Sequence, residues 1–510
     1  MIPRLIPILL KNIVYSSDEI SEILAENADD VLDQNPPVFY RSKHSKQEGM
    51  NDDKEEDDYL EDEDGGSDWN LRKCSAASLD ALSSLYGSEH ILPFLLPALE
   101  EGLSHTDPWV REASILSLGA IAEGCNDEMR KHLDKLYPFL VSQVTEDLPQ
   151  LRAISCWTLS RYADYAVFAA DNGEGVKQLC QCLLSVVLDS NHKVQLAACS
   201  ALSVLIESSS SIEPNPILPL LQVIYQNFVQ ALHTYKNHRS LIALFDSISI
   251  CADFVGSPTG HQNLCCMYLP PLVQMWTSAN PLDRRLLSLM ESISCIALAI
   301  GLEIQPYALT IFDQCMLCIE ACTIQVHTED NATEEDCDFI VCATDIVDAM
   351  VEGMGGASFS TLLSSSRYAD HFLNIVLGLC RSQVPGVRMS SFALIGDLTR
   401  NCANILQPAI SEFVRESIRC IDVMHGSVCN NSLWALGEIC VKCQDNHGVI
   451  DPFAADILRA LVPILMGNGA QGNISSIPGL AENAASCLGR LSMVRAAYVS
   501  QELSTILPGW

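Results

Sequence analysis

The chain has 510 residues and a formal net charge of −34, with 64 acidic residues against 30 basic ones. This charge argues against nucleic acid as a partner, because a protein neutralises phosphates with Lys and Arg. A basic protein segment is the complementary partner. With 48% hydrophobic residues and only 23 Pro and 27 Gly, most of the chain can form a packed core.

The N-terminus and the 22 cysteines favour a reducing compartment. The opening MIPRLIPILLKNIV is too short an apolar stretch for a secretory signal, and Pro7 and Lys11 interrupt it. No run of about twenty apolar residues suggests a membrane span. Because cysteines such as Cys156 and Cys199 fall in apolar helical stretches, we expect reduced core thiols in the cytosol or nucleus.

Two helical phrases alternate along the chain. The first is a Pro-flanked amphipathic helix, as in IPRLIPILLKNI, HILPFLLPALEEGL and YLPPLVQMW. The second is an apolar helix rich in small residues, as in ASILSLGAIAEG, ISCWTLSRYA and CNNSLWALGEIC. Successive second phrases lie roughly 37 to 55 residues apart, which brackets the HEAT spacing. The sequence therefore predicts an all-α fold, a right-handed superhelical HEAT-repeat solenoid of antiparallel helix pairs.

The linkers between the two helices share a pattern. Asp107 and Asp147 precede a turn, and an apolar residue followed by Arg111 or Arg152 comes next. Arg388 sits in a similar pair without the Asp. Since Asp can accept hydrogen bonds from the free N–H groups of a helix start, we expect both Asp residues to cap second helices.

An acidic insertion interrupts the helical pattern. Ten of the thirteen residues from Asp52 to Asp64 are acidic. They are Asp52, Asp53, Glu55, Glu56, Asp57, Asp58, Glu61, Asp62, Glu63 and Asp64. Such a block repels itself, so we predict a solvated, disordered loop.

Composition divides the chain into successive segments. We predict the start of a HEAT repeat (1–40), the acidic loop within a repeat (41–68), repeats (69–322), a second acidic loop (323–338), repeats (339–466), a Gly/Ser loop (467–480) and a partial final repeat (481–510). The chain begins at Ile2 with a helix of the first type and ends at Trp510 within another sequence of the first type. Neither end has the polar residues that cap the terminal repeats of a solenoid. We therefore expect an internal piece of a longer protein or a truncated gene model.

Carboxylates recur on the second helices. Asp246 and Asp253 lie seven residues apart with Ile250 between them, on one helical stripe. Other second helices carry Asp80, Glu123, Glu207, Asp345, Asp348, Glu352, Asp397 and Glu438. An ordinary solvated helix face is the alternative interpretation. The scarcity of Lys and Arg in these phrases favours a cation supplied by a partner.

Two tryptophans occupy comparable second-helix positions. Trp157 precedes Arg161 by four residues, and Trp434 precedes Glu438 by four. Burial in the core is the alternative to a role as interface anchors, for which Trp offers a broad apolar face and one N–H. Exposed indoles on an acidic wall would suit a peptide rich in Arg, Lys and aromatic residues.

Catalytic and metal chemistry find no support in the sequence. Cys315, Cys318 and Cys322, like Cys440 and Cys443, have spacings known from zinc sites, but thiols three apart in an apolar helix usually pack together. No phosphate-binding Gly loop and no recognisable catalytic arrangement appears. We predict a non-enzymatic protein without cofactor or metal.

Six stretches occur in this order: SDWNLRKCSAASLDAL after the acidic insertion, LGAIAEGC, CWTLSRYA, LDSNHKVQLAACSA, SSFALIGDLT and CNNSLWALGEI. Together they resemble the transportins (karyopherin-β2), a branch of the importin-β family of nuclear import receptors. The resemblance runs from about residue 2 to residue 510. It implies a receptor that binds long, disordered, basic localisation signals ending in a proline–tyrosine (PY) element, along a concave face.

The resemblance implies three groups of cargo-binding residues. The PY end would meet Ala76, Ala77, Asp80, Leu116, Ile154, Trp157 and Arg161. The basic middle would meet Glu207, Asp246, Ile250 and Asp253. The N-terminal part would meet Asp345, Glu352, Asp397, Asn430, Asn431 and Trp434. Leu196 stands where the resemblance implies an acid.

The resemblance also implies regulation and further partners. In this family GTP-bound Ran presses on the acidic loop, which then displaces cargo. The Ran-gripping repeats would precede Ile2, so we expect this chain to bind Ran weakly or not at all. The DWNLRK end of the loop combines Trp69 with the cations Arg72 and Lys73, and we hypothesise that it docks against the acidic wall as a substitute for cargo.

From the resemblance we also expect nucleoporins as partners. We expect the protein to shuttle between cytoplasm and nucleus and not to insert into a membrane. The alternative is a HEAT scaffold subunit of a signalling or trafficking complex, which would bury both tryptophans or use its convex ridge.

Overall fold

The computed structural model describes residues 2–28, 70–168, 173–256, 265–328, 337–422, 424–443, 447–466 and 479–506. Within these ranges every regular element is a helix, which confirms the predicted all-α fold. The ten acidic residues between positions 52 and 64 lie outside the described residues. The chain divides into two compact units, one ending at Val255 and the other beginning at Gly256.

The first unit consists of helix pairs. Its helices are α1 (Ile2–Ile13), α2 (Ser17–Ala28), α3 (Leu71–Tyr86), α4 (Ser88–Leu103), α5 (Pro108–Ala120), α6 (Asn126–Gln143), α7 (Pro149–Arg161), α8 (Ala163–Val167), α9 (Glu174–Val187), α10 (His192–Ser209), α11 (Leu221–Thr234) and α12 (His238–Gly256). First helices α4, α6 and α9 pack on the second helices α5, α7 and α10 that follow them, and α1 packs on α3. The second helices α3, α5, α7 and α10 stack in order.

The second unit repeats this plan. Its helices are α13 (Leu269–Ser278), α14 (Leu287–Ile300), α15 (Gln305–Thr328), α16 (Asp338–Met354), α17 (Gly356–Ser365), α18 (Phe372–Cys380), α19 (Pro385–Leu406), α20 (Ile410–Arg419), α21 (Gly426–Lys442), α22 (His447–Ile450), α23 (Ala454–Leu465) and α24 (Leu480–Ile506). The second helices α14, α16, α19, α21 and α24 stack in order. In one repeat the first helix is broken, so that α17 and α18 both pack on α19.

The second helix α5 shows why second helices carry so few polar residues, because it is enclosed on several sides. In α5 every residue from Glu112 to Ala120 is buried, between α3, α4 and α7. A helix enclosed in this way needs no polar face. Its small residues let neighbouring helices approach closely, which explains the composition of the second phrases.

The linker arginines fold the linkers themselves. Nη1 of Arg111 donates to the carbonyls of His105 and Thr106, at 3.0 and 3.3 Å. Arg152 and Arg388 make the same two bonds, five and six residues back along the chain, at distances of 2.7 to 3.0 Å. The recurring apolar–Arg pair thus satisfies carbonyl groups of the turn that would otherwise need water.

The capping prediction is right at one linker and wrong at the other. Asp107 accepts a hydrogen bond from the N–H of Trp109 at 3.0 Å and caps α5. In α7 the N-cap residue is Leu148, without a side-chain cap, and Asp147 lies one position too early. Pro149 follows directly at the first helical position, where its missing N–H costs nothing.

One stretch, Arg284–Thr323, is long and apolar enough by length and composition to cross a membrane, which corrects the expectation that the sequence has no such run. In the structure Gly301, with φ of 56°, ends α14, and α15 begins four residues later. Of the apolar window, 61% is buried inside the protein, so most of these side chains are core residues.

All 22 cysteines are free thiols, and most are buried. Burial raises the pKa of Cys182 to about 11 and that of Cys199 to about 12, so these thiols stay protonated at neutral pH. Within the described part of the chain, no group of three or more His, Cys, Asp or Glu is arranged to hold a metal ion.

The two cations after the acidic insertion lie in the core. Arg72 and Lys73 are buried in α3, with 5% and 8% exposure. Nη2 of Arg72 lies 2.6 Å from Oε1 of Glu112, and its guanidinium stacks 3.8 Å from the ring centroid of Tyr15. The hypothesis that they substitute for cargo on the acidic wall is therefore wrong for these two cations, because Arg72 joins the first repeats together, while Trp69 lies outside the described residues.

Candidate binding faces

In the first unit a half-buried indole lies on α7 next to α5. The six-membered ring of Trp157 contacts Gly119 of α5 so closely that a Cβ there would lie 2.2 Å from Cζ3. The next residue, Thr158, donates its hydroxyl to the carbonyl of Ile115 at 3.1 Å. Trp157 was predicted to be accessible, and its half-buried side chain is consistent with that prediction. One edge of its ring is packed against Gly119.

A guanidinium lies beside this indole. Cζ of Arg161 is 6.0 Å from the ring centroid of Trp157, within the range of a cation–π interaction. Nη2 of Arg161 also lies 3.6 Å from Oε2 of Glu123, whose side chain is 69% exposed. Solvent screens such an exposed carboxylate, so this pair contributes little to stability.

The remaining predicted residues of the PY end fall into two groups. Ala76, Leu116 and Ile154 have at most 1% exposure, so they are core residues between stacked second helices and offer a partner no surface. Ala77 and Asp80 are half-buried on α3. The difference arises because small and aliphatic residues on stacked second helices face the next helix as readily as they face solvent.

The predicted middle group lies on α10 and α12. Glu207 and Asp253 are exposed, while Asp246 and Ile250 are half-buried. The hydroxyl of Ser203 on α10 bonds that of Ser247 on α12 at 2.9 Å, which joins the two helices. Asp246, Ile250 and Asp253 therefore share an accessible stripe, as predicted from their spacing.

The expectation that the wall carboxylates lack partners is wrong for several of them. Five take part in hydrogen-bond or electrostatic interactions within the chain: Asp80, Glu207, Asp246, Asp253 and Asp345. A cationic guest would therefore meet carboxylates that already interact with other groups of the chain.

In the second unit Trp434 repeats the arrangement of Trp157. The indole lies half-buried on α21 and contacts Gly396 of α19, where a Cβ would lie 2.0 Å from Cζ3. One turn after Trp434 on α21 comes the acidic Glu438, whereas one turn after Trp157 on α7 comes the basic Arg161. Oε1 of Glu438 accepts from Nη2 of Arg490 on α24 at 2.9 Å.

The two asparagines before Trp434 join neighbouring helices. Nδ2 of Asn431 donates to the carbonyl of Met389 on α19 at 3.0 Å, and Oδ1 of Asn430 accepts from Asn483 on α24 at 2.9 Å. Each amide thus uses one of its polar atoms within the chain. Among the contacts of the described residues, the Nδ2 group of Asn430 and the Oδ1 atom of Asn431 have no partner and could bond a peptide backbone.

A carboxyl pair lies between α16 and α19. Asp397 is 7% exposed, and its side chain bonds that of the half-buried Asp348. Burial, followed by the charge of Glu352, raises the pKa of Asp397 to about 6, while Arg400 and the bond to Asp348 oppose the rise. Burial and the charges of Asp397, Asp345 and Glu352 raise the pKa of Asp348 well above its usual range.

The other predicted carboxylates of this unit surround the pair. Asp345 is half-buried and Glu352 is exposed, both on α16. Asp348 was named with the other second-helix carboxylates in the sequence, but it was not among the predicted binding residues. Gly119, Gly396 and Arg490 were also missed. The glycines stand in similar phrases, LSLGAI and ALIGDL, which is the signal that could have revealed them.

Comparisons with known proteins agree with the repeat architecture. The HEAT-like repeat family matches residues 108–162, which contain α5, α6 and α7. The crystal structure of importin beta in a polyethylene glycol condition has a TM-score of 0.66 at 16% identity, covering 88% of this chain and 54% of that one. Yeast importin-beta (Kap95p) has a TM-score of 0.62 at 12% identity, covering 97% and 63%. The chain is a HEAT-repeat protein with the importin-β type of fold.

Relatives found by sequence similarity indicate which proteins of this fold the chain is similar to. Transportin-1 of Oryza sativa is 35% identical over 524 residues, and Transportin-1 of Homo sapiens is 34% identical over 539 residues. Both matches cover 100% of this chain and 56% of the relative. Importin subunit beta-2 of Schizosaccharomyces pombe is 32% identical, covering 87% and 48%. The chain is thus a homologue of transportin along its whole length and spans about half the length of these relatives.

Proposed function

We propose that this chain binds basic nuclear localisation signals of the PY type, as a nuclear import receptor that carries cargo such as RNA-binding proteins through the nuclear pore. The observation that supports this most is the same arrangement in both units. Trp157 and Trp434 each lie half-buried on a second helix and against a glycine of the preceding one, among carboxylates, in a homologue of transportin.

The chemistry of these faces suits an extended basic peptide. A disordered segment can follow a series of second helices and make a contact on each, whereas a folded partner would need one large patch. The indoles offer stacking surface to aliphatic and aromatic side chains and cation–π contact to Arg and Lys. In the second unit, the amides of Asn430 and Asn431 would bond the peptide backbone.

The test is a titration with a fluorescently labelled basic PY peptide. Trp157→Ala and Trp434→Ala should each lower the affinity by about 5- to 150-fold, which corresponds to about 1–3 kcal/mol for an anchor residue. The matched control is Phe94→Ala, which removes a 46% exposed aromatic side chain from the first helix α4. A control peptide with Glu in place of Arg and Lys should not bind.

The scaffold alternative predicts the reverse pattern. A scaffold that uses its first helices would lose partner binding in Phe94→Ala and keep it in the tryptophan variants. Equal affinity of both tryptophan variants and the unchanged chain for the basic peptide would refute the proposed cargo role.

We further propose that the acidic insertion acts in release of cargo and not in binding, and that GTP-bound Ran drives this release in the full-length receptor. The physical basis is competition, since an anionic tether can neutralise the basic peptide. Deleting residues 45–66 should leave peptide affinity within about twofold, because a block with so many like charges adds no packed contact. Loss of binding on deletion would show that the insertion is structural.

Ran and the nucleoporins are the further proposed partners. A pull-down should show weak capture of GTP-loaded Ran or none, and tight GTP-dependent capture would contradict this. Among the structural neighbours, Kap95 is known in complex with Nup1, and that complex has a TM-score of 0.57 with this chain at 14% identity. A nucleoporin partner implies shuttling between cytoplasm and nucleus, which a fluorescent fusion would show as rim staining of the nucleus.

A further inference from the structure

We infer that Gly119 and Gly396 are positioning residues, which fix the depth of Trp157 and Trp434 on the two binding faces. The Trp–Gly contacts are the pairs Trp157–Gly119 and Trp434–Gly396. The inference deepens the proposed function, since the depth of each indole sets how much ring surface a bound peptide can reach. The distances between each indole and its glycine are those of the chain without a bound peptide, so they do not depend on the proposed function.

The contacts leave no space for any side chain at the glycine. A Cβ at position 119 would lie 2.2 and 2.9 Å from Cζ3 and Cε3 of Trp157. A Cβ at position 396 would lie 2.0, 2.3 and 2.6 Å from Cζ3, Cε3 and Cη2 of Trp434. Carbon atoms pack at about 3.5–4.0 Å, so the six-membered ring would have to move.

An indole cannot yield as a flexible side chain would. Its nine ring atoms are rigid and turn about only two torsion angles, so relief of the clash moves the whole ring. The backbone beside Trp157 is held by two further contacts, since Thr158 bonds the carbonyl of Ile115 and Tyr162 bonds that of Leu118 at 3.1 and 2.8 Å. The ring therefore has to move outward or distort the helix contact.

The second unit has an equivalent restraint. The bond from Asn431 to the carbonyl of Met389 ties α21 to α19 on the same side as the Trp434–Gly396 contact. The two contacts thus share three features: a glycine on one second helix, an indole on the next and a side-chain bond to a carbonyl of the glycine's helix. This recurrence in separate units favours a common role in placing the indole.

Other helical glycines provide the contrast. A Cβ at Gly378 in α18 or at Gly489 in α24 would meet no atom within 4 Å. Alanine is more favourable than glycine in a helix interior, so alanine at these positions should stabilise the chain. At Gly119 and Gly396 the clash with the ring should outweigh that gain.

The first experiment reads the ring directly. The full chain is labelled with 5-fluorotryptophan, and the ¹⁹F resonances of Trp157 and Trp434 are assigned by replacing each with Phe. Gly396→Ala should shift the Trp434 resonance and leave that of Trp157 unchanged, while Gly119→Ala should do the reverse. Gly378→Ala should shift neither. Unchanged resonances in both contact variants would overturn the inference.

The second experiment tests whether the effect of Gly396→Ala on Tm changes from a fall to a rise when the indole of Trp434 is removed. Gly396→Ala should lower the Tm of the chain with Trp434 and raise it when combined with Trp434→Leu, because the smaller side chain leaves room for the methyl group. Gly378→Ala should raise Tm in both backgrounds. A fall in Tm of the same size in both backgrounds would mean that alanine at position 396 clashes with something other than the indole, against the inference.

Binding of the basic PY peptide separates the contact from the proposed function. Gly396→Ala should lower the affinity about tenfold, while Gly378→Ala should leave it unchanged. A shifted Trp434 resonance with unchanged affinity would uphold the positioning contact and refute the role of that indole in cargo binding.

Discussion

The two units neutralise charge inside their helix stacks in opposite ways. In the first unit Arg72 and Glu112 form a closed ion pair, with side chains only 5% and 3% exposed. In the second unit the group next to the 7% exposed Asp397 is another carboxyl, that of Asp348. Opposite charges satisfy each other, whereas two carboxylates can bond only if a proton lies between them.

The ion pair of the first unit is therefore charged at all ordinary pH values, whereas the charge of the carboxyl pair in the second unit depends on pH. The ion pair of the first unit joins α3, α5 and the chain after α1 through Arg72, which also bonds the carbonyl of Ile13 and stacks on Tyr15. The carboxyl pair lies on the proposed binding face, among Asp345 and Glu352. The second face therefore carries less negative charge at neutral pH than its residue count suggests.

Breaking the ion pair should have the largest effect. Glu112→Gln would remove the buried carboxylate that pairs with the guanidinium of Arg72, and breaking a buried ion pair typically costs about 3–5 kcal/mol. We expect a loss of this size in the free energy of unfolding of the first unit, measured by urea denaturation. Hydrogen exchange of α3 and α5 amides would locate it.

The control for this prediction is Glu128→Gln. Glu128 pairs with Lys131 at 2.7 Å on α6, and the side chains are 45% and 65% exposed, so its loss should cost about 0–1 kcal/mol. Similar costs for the two variants would show that the Arg72–Glu112 pair contributes no more than a surface pair.

The carboxyl pair should make the second unit less stable as pH rises. The pKa of Asp397 is about 6 in the folded chain and about 3.9 in an unfolded one, so the folded state binds more protons between these values. Stability is then highest below about pH 4 for this group and falls through pH 6, by about 2–3 kcal/mol in total. Asp348→Asn should make the total fall with pH smaller, because it removes the raised pKa of Asp348, while burial and the charge of Glu352 still act on Asp397.

The measurement is urea denaturation of both chains at pH 5 and pH 8, with amide exchange in α16 and α19 as the local signal. Asp348→Asn should be more stable than the unchanged chain at pH 8 and close to it at pH 5. Asp370→Asn, which changes an exposed carboxylate of the same unit, should shift stability equally at both pH values. A destabilised Asp348→Asn at pH 8 would exclude the shared proton.

Periodicity and phrase repetition predicted the fold well, because HEAT repeats encode each helix locally. Proline, Asp and Arg at the linkers and small residues on second helices are visible without knowing any contact. The predicted burial of individual residues was less accurate. Leu116 and Ile154 were assigned to cargo binding from the family resemblance and are in the core, because a matching motif identifies a helix but not which neighbour covers each side chain.

Contacts between helices were the part that the sequence left open. The acidic stripe of α16 was visible, but the bond between Asp348 and Asp397 depends on how α16 and α19 stack. In the same way, Arg72 looked like a loop cation until Glu112, forty residues later, proved to be its partner. Long-range pairs of this kind require the fold before charges can be assigned to a surface or to a core.

The smallest expected effect concerns the linker arginines, which occur in both units with different partners. Arg152 of the first unit bonds its linker carbonyls and also both carboxyl oxygens of Asp189, each at 2.8 Å. Arg388 of the second unit bonds only its linker carbonyls in the described structure. Arg152→Gln should therefore cost about 1–2 kcal/mol and Arg388→Gln about 0.5–1 kcal/mol, measured by urea denaturation.

Gln195 shows why glutamine is the right replacement. It follows the next linker, and its Nε2 donates to the carbonyl of Asp189 at 2.7 Å, six residues back, as the linker arginines do. Gln at positions 152 and 388 should keep this bond, so the difference between the two variants isolates the Arg152–Asp189 pair. Equal costs would mean that carbonyl bonding alone explains the linker arginines and that the extra ion pair of the first unit adds nothing measurable.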